Sequence, residues 1–243
     1  MTADRDAGTK PAIDEGELLR GDLTPLISTF AFGARALARC LTRVRVDGDA
    51  SVIPRTGPVI LASNHISNAD AVLIGAWLTP RLGRRIHWLG KKEMFEWPLV
   101  GWMVRNGGVV PVDRGGADVE AFRLAQRVLE AGHVLMVFPE GTRSPTGELQ
   151  VPKDGLSMLA LRTDATIVPI GVSNTDRVWK KGSFLPRPGG HATMRIGEPF
   201  RLPDVLPAGL GRKAQKTEAT TAIMRRIAAL VDERHRGAYR DAQ

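Results

Sequence analysis

The stretch Val59-Ile60-Leu61-Ala62-Ser63-Asn64-His65-Ile66-Ser67-Asn68-Ala69-Asp70 decides how this chain is read. Its first four residues form a short apolar strand, and Asp70 opens a longer apolar run, Ala71 to Leu78, with the length of a helix. Between the two lie His65 and Asp70, five positions apart. On one continuous helix these would point roughly 140° away from each other. The spacing therefore predicts His65 in the loop and Asp70 in the first helical turn, with Ser67 or Asn68 as the cap. An imidazole titrates near neutrality and can take a proton from a hydroxyl and return it to a leaving group. A carboxylate beside it fixes the ring tautomer and stabilises the imidazolium that forms. His65 and Asp70 are the candidate catalytic pair.

Outward from this unit the strand–helix alternation continues. Apolar strands are expected near Arg85–Leu89, Val109–Val112, Val134–Phe138, Ile167–Ile170 and Ala192–Ile196. Helical patterns fall near Phe95–Arg105, Ala117–Ala131, Gly155–Arg162 and Arg212–Arg236, the last with Ile223, Ile227, Leu230 and Val231 inward. This predicts a single α/β domain, a largely parallel sheet flanked by helices, over residues 44–240. Ligands of open α/β sheets bind beyond the carboxyl ends of the strands. His65, Arg114 and Glu140 each follow a strand there, so one rim should gather them. Trp97, Leu99, Val100, Trp102 and Met103 read as core packing, with an acyl-chain wall as the lesser alternative.

Two further motifs share a design. Gly108-Val109-Val110-Pro111-Val112-Asp113-Arg114 and Phe138-Pro139-Glu140-Gly141-Thr142-Arg143 each follow an apolar stretch and end in arginine. Guanidinium forks bind phosphate oxygens in a bidentate, charge-assisted way. No Gly-x-Ser-x-Gly elbow presents a nucleophile, so the base is expected to activate a substrate hydroxyl. Base and arginines together suggest transfer onto the hydroxyl of a phosphorylated acceptor.

With the apolar Ile167-Val168-Pro169-Ile170, these blocks stand in the order of the glycerophospholipid acyltransferase family, which the chain resembles over roughly Pro58 to Pro199. It is similar in particular to the bacterial members that acylate 1-acyl-glycerol-3-phosphate. Pro111 stands where many relatives carry an aromatic residue, which leaves the acceptor open. The resemblance implies an acyl thioester donor, acyl-CoA or acyl-ACP, as co-substrate, with no cofactor. It implies an acceptor site of Arg114, Glu140, Gly141, Thr142, Arg143 and Lys153, with Lys91 and Lys92 as further cations for a substrate phosphate. Glycerol-3-phosphate, another lysophospholipid or a lyso-aminolipid are alternative acceptors, and a thioesterase is the rival reaction.

Composition fits this reading. The net charge of +8 suits a phosphate-bearing substrate or an anionic membrane surface. With one tyrosine and no zinc-finger or RNA-recognition signature, nucleic acid is not an expected partner. The lone Cys40 allows no internal disulfide, and no carboxylate or histidine cluster has metal-ligand spacing, so no metal is expected. Residues 1–21 read as a polar flexible tail. Residues 22–43 contain a helix from Pro25 to Arg43, capped by Thr24, with Leu26, Phe30, Ala34, Leu37 and Leu41 on one side. Arg35, Arg39 and Arg43 form the opposite stripe, with Phe32 intruding. Such a helix can lie in a membrane interface, and no run is long enough to span a bilayer. The protein is expected to be peripheral on the cytoplasmic side of a membrane.

Overall fold

Val59, Ile60, Leu61 and Ala62 have no exposed surface, so their strand needs partners on both edges and helices on both faces. The computed structural model, which describes residues 14–113, 118–180, 183 and 185–240, supplies both. Arg114 lies outside the described residues. Along the chain run α1 (Glu15–Leu18), α2 (Pro25–Leu41), β1 (Thr42–Asp47), β2 (Val59–Ser63), α3 (Ala69–Leu82), β3 (Ile86–Lys91), α4 (Pro98–Asn106) and β4 (Val109–Val112). Then follow α5 (Val119–Glu130), β5 (Val134–Val137), α6 (Gly155–Thr163), β6 (Thr166–Ser173), α7 (Thr175–Val178), β7 (Gly190–Ile196), α8 (Leu202–Val205) and α9 (Arg212–Leu230). The sheet order is β1-β7-β6-β2-β5-β3-β4. From β6 to β4 all neighbours are parallel; β7 joins β6 antiparallel and carries β1 parallel to itself. This is the expected α/β domain with a largely parallel sheet. Alternate β2 residues feed two cores, Ile60 and Ala62 on the face of α5, α6 and α9, Val59 and Leu61 on the face of α3.

Four expectations are corrected. The helix begun at Pro25 ends at Leu41, not Arg43, because Thr42–Asp47 pairs with β7 residue for residue from Gly190. The tail up to Gly21 is a docked strap from Asp14 on. Arg85 Nη1 donates to Glu17 O, and the rings of His87 and His133 bond Leu18 O and Leu19 O at 2.8 and 2.7 Å. These side chains satisfy carbonyls that a short segment cannot pair by itself. The last helix stops at Leu230 rather than Arg236, where Val231 turns extended and Asp232 is taken by Arg195 and Asn174. Finally, Trp97, Leu99, Trp102 and Met103 are not core: they are exposed, Leu99 by 72%, because α4 packs through Gly101 and Val104 instead. In α2, too, the packed positions are the small Ala31, Ala34 and Ala38, leaving Phe30, Phe32 and Leu37 outward. No helix among the described residues is long and apolar enough to cross a membrane.

Candidate active site

His65 leaves β2 into a loop that is gripped from both sides. Its N–H donates to Glu140 Oε1 at 2.9 Å, and its carbonyl accepts the Ser144 N–H at 2.8 Å. The buried Asn64 amide exchanges two bonds with the Val172 backbone, 2.8 and 2.9 Å, as a strand residue would, and so ties the loop to β6. Phe138 stacks on the imidazole, ring centroids 4.0 Å apart and 14° from parallel. The ring is thus fixed in plane and in position.

Asp70, in the first turn of α3 as expected, is wholly buried and accepts four bonds. Oδ2 receives His65 Nδ1 at 2.8 Å and the N–H groups of Ile66 and Ser67 at 2.7 and 2.8 Å. Oδ1 receives the Thr175 hydroxyl at 2.5 Å. A carboxylate only accepts, so the imidazole proton sits on Nδ1 and the lone pair on Nε2. The expected cap is corrected. Ser67 Oγ accepts only the Ala69 N–H and itself bonds Trp179 O, while the Asn68 side chain turns to Arg143 Nη1 at 2.5 Å. Asp70 instead takes the N–H groups of Ile66 and Ser67, which precede the helix, and so closes the loop onto its first turn.

Glu140 stands on the rim beyond β5, as expected, but its carboxylate does not face open space. It is 3% exposed, and Oε2 accepts the N–H and the side-chain amide of Gln150 at 3.2 and 3.0 Å. Burial pushes its carboxyl up to about 7, against the N–H groups of His65 and Gln150 that pull it down. At Gly141, φ is 68°, in the left-handed region, and a Cβ would sit 3.0 Å from the Lys153 side chain. The glycine thus lets Lys153 lie over the loop. The N–H groups of His65, Ile66, Ser67 and Gly141 are all engaged. Thr142, whose carbonyl accepts Gln150 Nε2, has no acceptor for its N–H among the described residues.

His65, Gly141 and Lys153 open onto one cavity of about 680 Å³ between the sheet and helices α5 and α6. Its walls are largely apolar, Leu89, Val112, Phe122, Ala125 and Leu159 among them. The apolar wall of this cavity is therefore built by α5, α6 and the sheet, not by the exposed Trp97–Met103 segment. Lys91 and Lys92 are each beside a carboxylate, Glu93 at 2.9 Å and Asp113 at 2.7 Å. Among the described residues no group of three or more His, Cys, Asp or Glu could hold a metal ion. Sequence reasoning did not single out Asn64, Gln150 or Thr175, or see Phe138 as a support for the ring; each is a partner across the fold, without a local signal.

The profile of the acyltransferase family matches residues 43–173. A lyso-ornithine lipid O-acyltransferase of Pseudomonas aeruginosa is 30% identical over 214 residues, covering 80% of this chain and 79% of that protein. A 1-acyl-sn-glycerol-3-phosphate acyltransferase of Bacillus subtilis is 28% identical over 181 residues, 73% of this chain and 83% of its own. One from Limnanthes alba is 37% identical, but the match spans only 46% of its length. The crystal structure of the 1-acyl-sn-glycerophosphate acyltransferase of Thermotoga maritima superposes with a TM-score of 0.67 at 28% identity, covering 84% of this chain and 79% of the other.

Proposed function

The chain belongs to the acyltransferase family, and from that premise we propose that it moves a fatty acyl group from acyl-CoA or acyl-ACP to the hydroxyl of 1-acyl-glycerol-3-phosphate, giving phosphatidate. The observation that carries this reading is the His65–Asp70 pair, 2.8 Å apart, opening onto an apolar cavity. Nε2 of His65 takes the proton of the acceptor hydroxyl as its oxygen attacks the thioester carbonyl. Asp70 stabilises the imidazolium, and Thr175 and two backbone N–H groups hold Asp70. Donors of the Glu140–Arg143 loop, the Thr142 N–H among them, meet the tetrahedral oxyanion. The intermediate collapses, the C–S bond breaks, and the thiol leaves with the proton His65 returns. No acyl-enzyme forms. The acceptor phosphate is held by Arg143, Lys153 and Arg114; Lys91 and Lys92 already have carboxylate partners. Glu140 positions His65 and does not touch the acceptor. The lipid substrate and product place the work at a membrane surface, reached from the cytoplasmic side through α2.

Labelled acyl-CoA offered with 1-acyl-glycerol-3-phosphate, glycerol-3-phosphate and lyso-ornithine lipid tests the reading. Label in phosphatidate is expected. A lyso-ornithine acceptor used tenfold better would replace the phosphate reading, and its support is the long match to the Pseudomonas relative. Label only in free fatty acid would make the protein a thioesterase.

Two variants refine this. Arg143→Ala is expected to raise the acceptor KM by about one to two orders of magnitude, the loss of a charge-assisted contact of roughly 1.5–3 kcal/mol, with the donor KM little changed. Equal damage to both substrates would count against acceptor reading by Arg143. Ala125, 1% exposed, is one of the residues lining the cavity in which this reading places the acyl chain. Ala125→Leu is expected to shift the preferred acyl donor to a shorter chain. Each excluded methylene costs about 0.8 kcal/mol, roughly fourfold in kcat/KM. An unchanged chain-length profile would move the acyl chain elsewhere.

A further inference from the structure

The seam between α2 and α3 holds three arginines that acyl transfer does not use. The guanidinium carbons of Arg35 and Arg39 lie 5.4 and 6.0 Å from the ring centroid of Trp77, which is 3% exposed. Arg81, one turn on from Trp77 along α3, leans back on its carbonyl at 3.5 Å. Among the described residues no carboxylate lies within ion-pair distance of these three, whereas Arg45, Arg195, Arg201 and Arg234 all have one. Arg35 Nε is buried with no hydrogen-bond partner among the described residues. Burial, then the neighbouring Arg39 and Arg81 charges, pull the Arg35 pKa down. Asp49, whose carboxylate accepts the Ser51 N–H, feels the charge of Arg81 without pairing with it, so the crowded like charge is only partly offset, and the indole holds two of the forks in place. Such an arrangement is prepared for an anion with several acceptor oxygens.

The surroundings say which anion. Phe32 lies three residues before Arg35 on the same helix face and is 75% exposed. Leu37 is 60% exposed, and the ring of the exposed Phe30 lies 6.2 Å from that of Trp102 on α4. Trp97 and Leu99 carry the apolar surface on along α4. Large apolar side chains, two of them indoles, bordering bare guanidinium groups match the boundary between acyl chains and headgroups.

We propose that Arg35, Arg39 and Arg81, gathered on Trp77, bind the phosphate of an anionic phospholipid headgroup while the apolar side chains of α2 and α4 enter the bilayer. This rests on the reading of α2 as the membrane-docking helix and adds a defined headgroup site to it, with α4 as a second inserting element.

Co-sedimentation with phosphatidylcholine vesicles, plain or doped with phosphatidylglycerol, tests it. Arg81→Gln sits outside the docking helix and, being exposed, should leave the melting temperature and the activity on detergent-dispersed acceptor unchanged. It is expected to weaken binding to the doped vesicles tenfold or more, beyond the about fivefold of losing any one basic residue at such a surface. Binding to plain vesicles should not change. Arg81→Lys, which keeps the charge and loses the fork, should fall between. Arg43→Gln removes an exposed arginine outside the cluster. Equal losses in Arg43→Gln and Arg81→Gln would leave only diffuse attraction and overturn the site. If the intact protein binds neither vesicle, the docking reading falls first. If inorganic phosphate alone raises the melting temperature of the intact protein but not of Arg81→Gln, and doped vesicles bind both alike, the site takes free phosphate and the lipid assignment is overturned. Trp97→Ser with Leu99→Ser should weaken binding to both vesicles; unchanged binding would remove α4 from the inserting face.

Discussion

His65→Ala is expected to lower kcat by at least about 10²-fold, the lower range of general-base catalysis, in a protein that stays folded. The side chain is held by Phe138 and Asp70, but its loop is held through the backbone, by Glu140, Ser144 and the Asn64 amide. Truncation therefore removes the base without releasing the loop. Asp70→Asn is a different lesion. An amide nitrogen would face at least one of the donors now bonded to the carboxylate, so on the order of 10²–10⁴ in kcat should be accompanied by a lower melting temperature. Steady-state rates together with circular dichroism decide both. Near-normal turnover by folded His65→Ala would end the mechanism, and Asp70→Asn as active as wild type would leave the aspartate a loop brace only.

The second large effect is on stability and belongs to Glu140. Its folded carboxyl titrates at about 7, above the ordinary 4.5, so the folded state holds the proton more tightly than the unfolded chain does. The stability this contributes is full below pH 4.5 and is lost as pH rises through about 7. The gap amounts to on the order of 3 kcal/mol. Glu140→Gln cannot ionise, so its stability relative to wild type should climb between pH 5 and pH 8. Denaturant unfolding of both proteins at the two pH values measures the difference. A wild-type-minus-variant gap that is the same at both would mean the buried carboxyl titrates like a free one. Above neutrality the ionised group grips the His65 N–H more strongly. At this position the molecule gives up stability for a fixed His65 loop.

Most of the strands could be read from the sequence because they are continuous apolar runs in a sheet covered on both faces. β1 could not. Thr42-Arg43-Val44-Arg45-Val46-Asp47 alternates polar with apolar residues, as an edge strand does, and its arginines continue the spacing of the helix before it. The His65–Asp70 contact was legible because its two members are close in sequence and their spacing fixes a loop and a turn. Its supports come from Glu140, Val172 and Thr175, residues 75, 108 and 105 positions from their partners, and single-sequence periodicity carries no such pairing. The arginine ending the second motif was equally legible, but Arg114 lies outside the described residues. In α4, hydrophobicity was read as burial. Composition says that a side chain avoids water, not what covers it, and none of the described residues covers Trp97 and Leu99.

The strand order also sets a timetable for synthesis. β2, buried along its whole length, pairs with β5 from Val134 and with β6 from Thr166, both far downstream. A ribosome adding about 5–20 residues per second makes that second edge available only roughly 5–20 s after Val59 has been added. Throughout that interval a segment with no charged side chain stands open along at least one edge, a template for any neighbouring nascent chain. The yield of this protein in a cell is therefore expected to depend on what shields β2 before β6 has been made, as well as on the stability of the finished sheet.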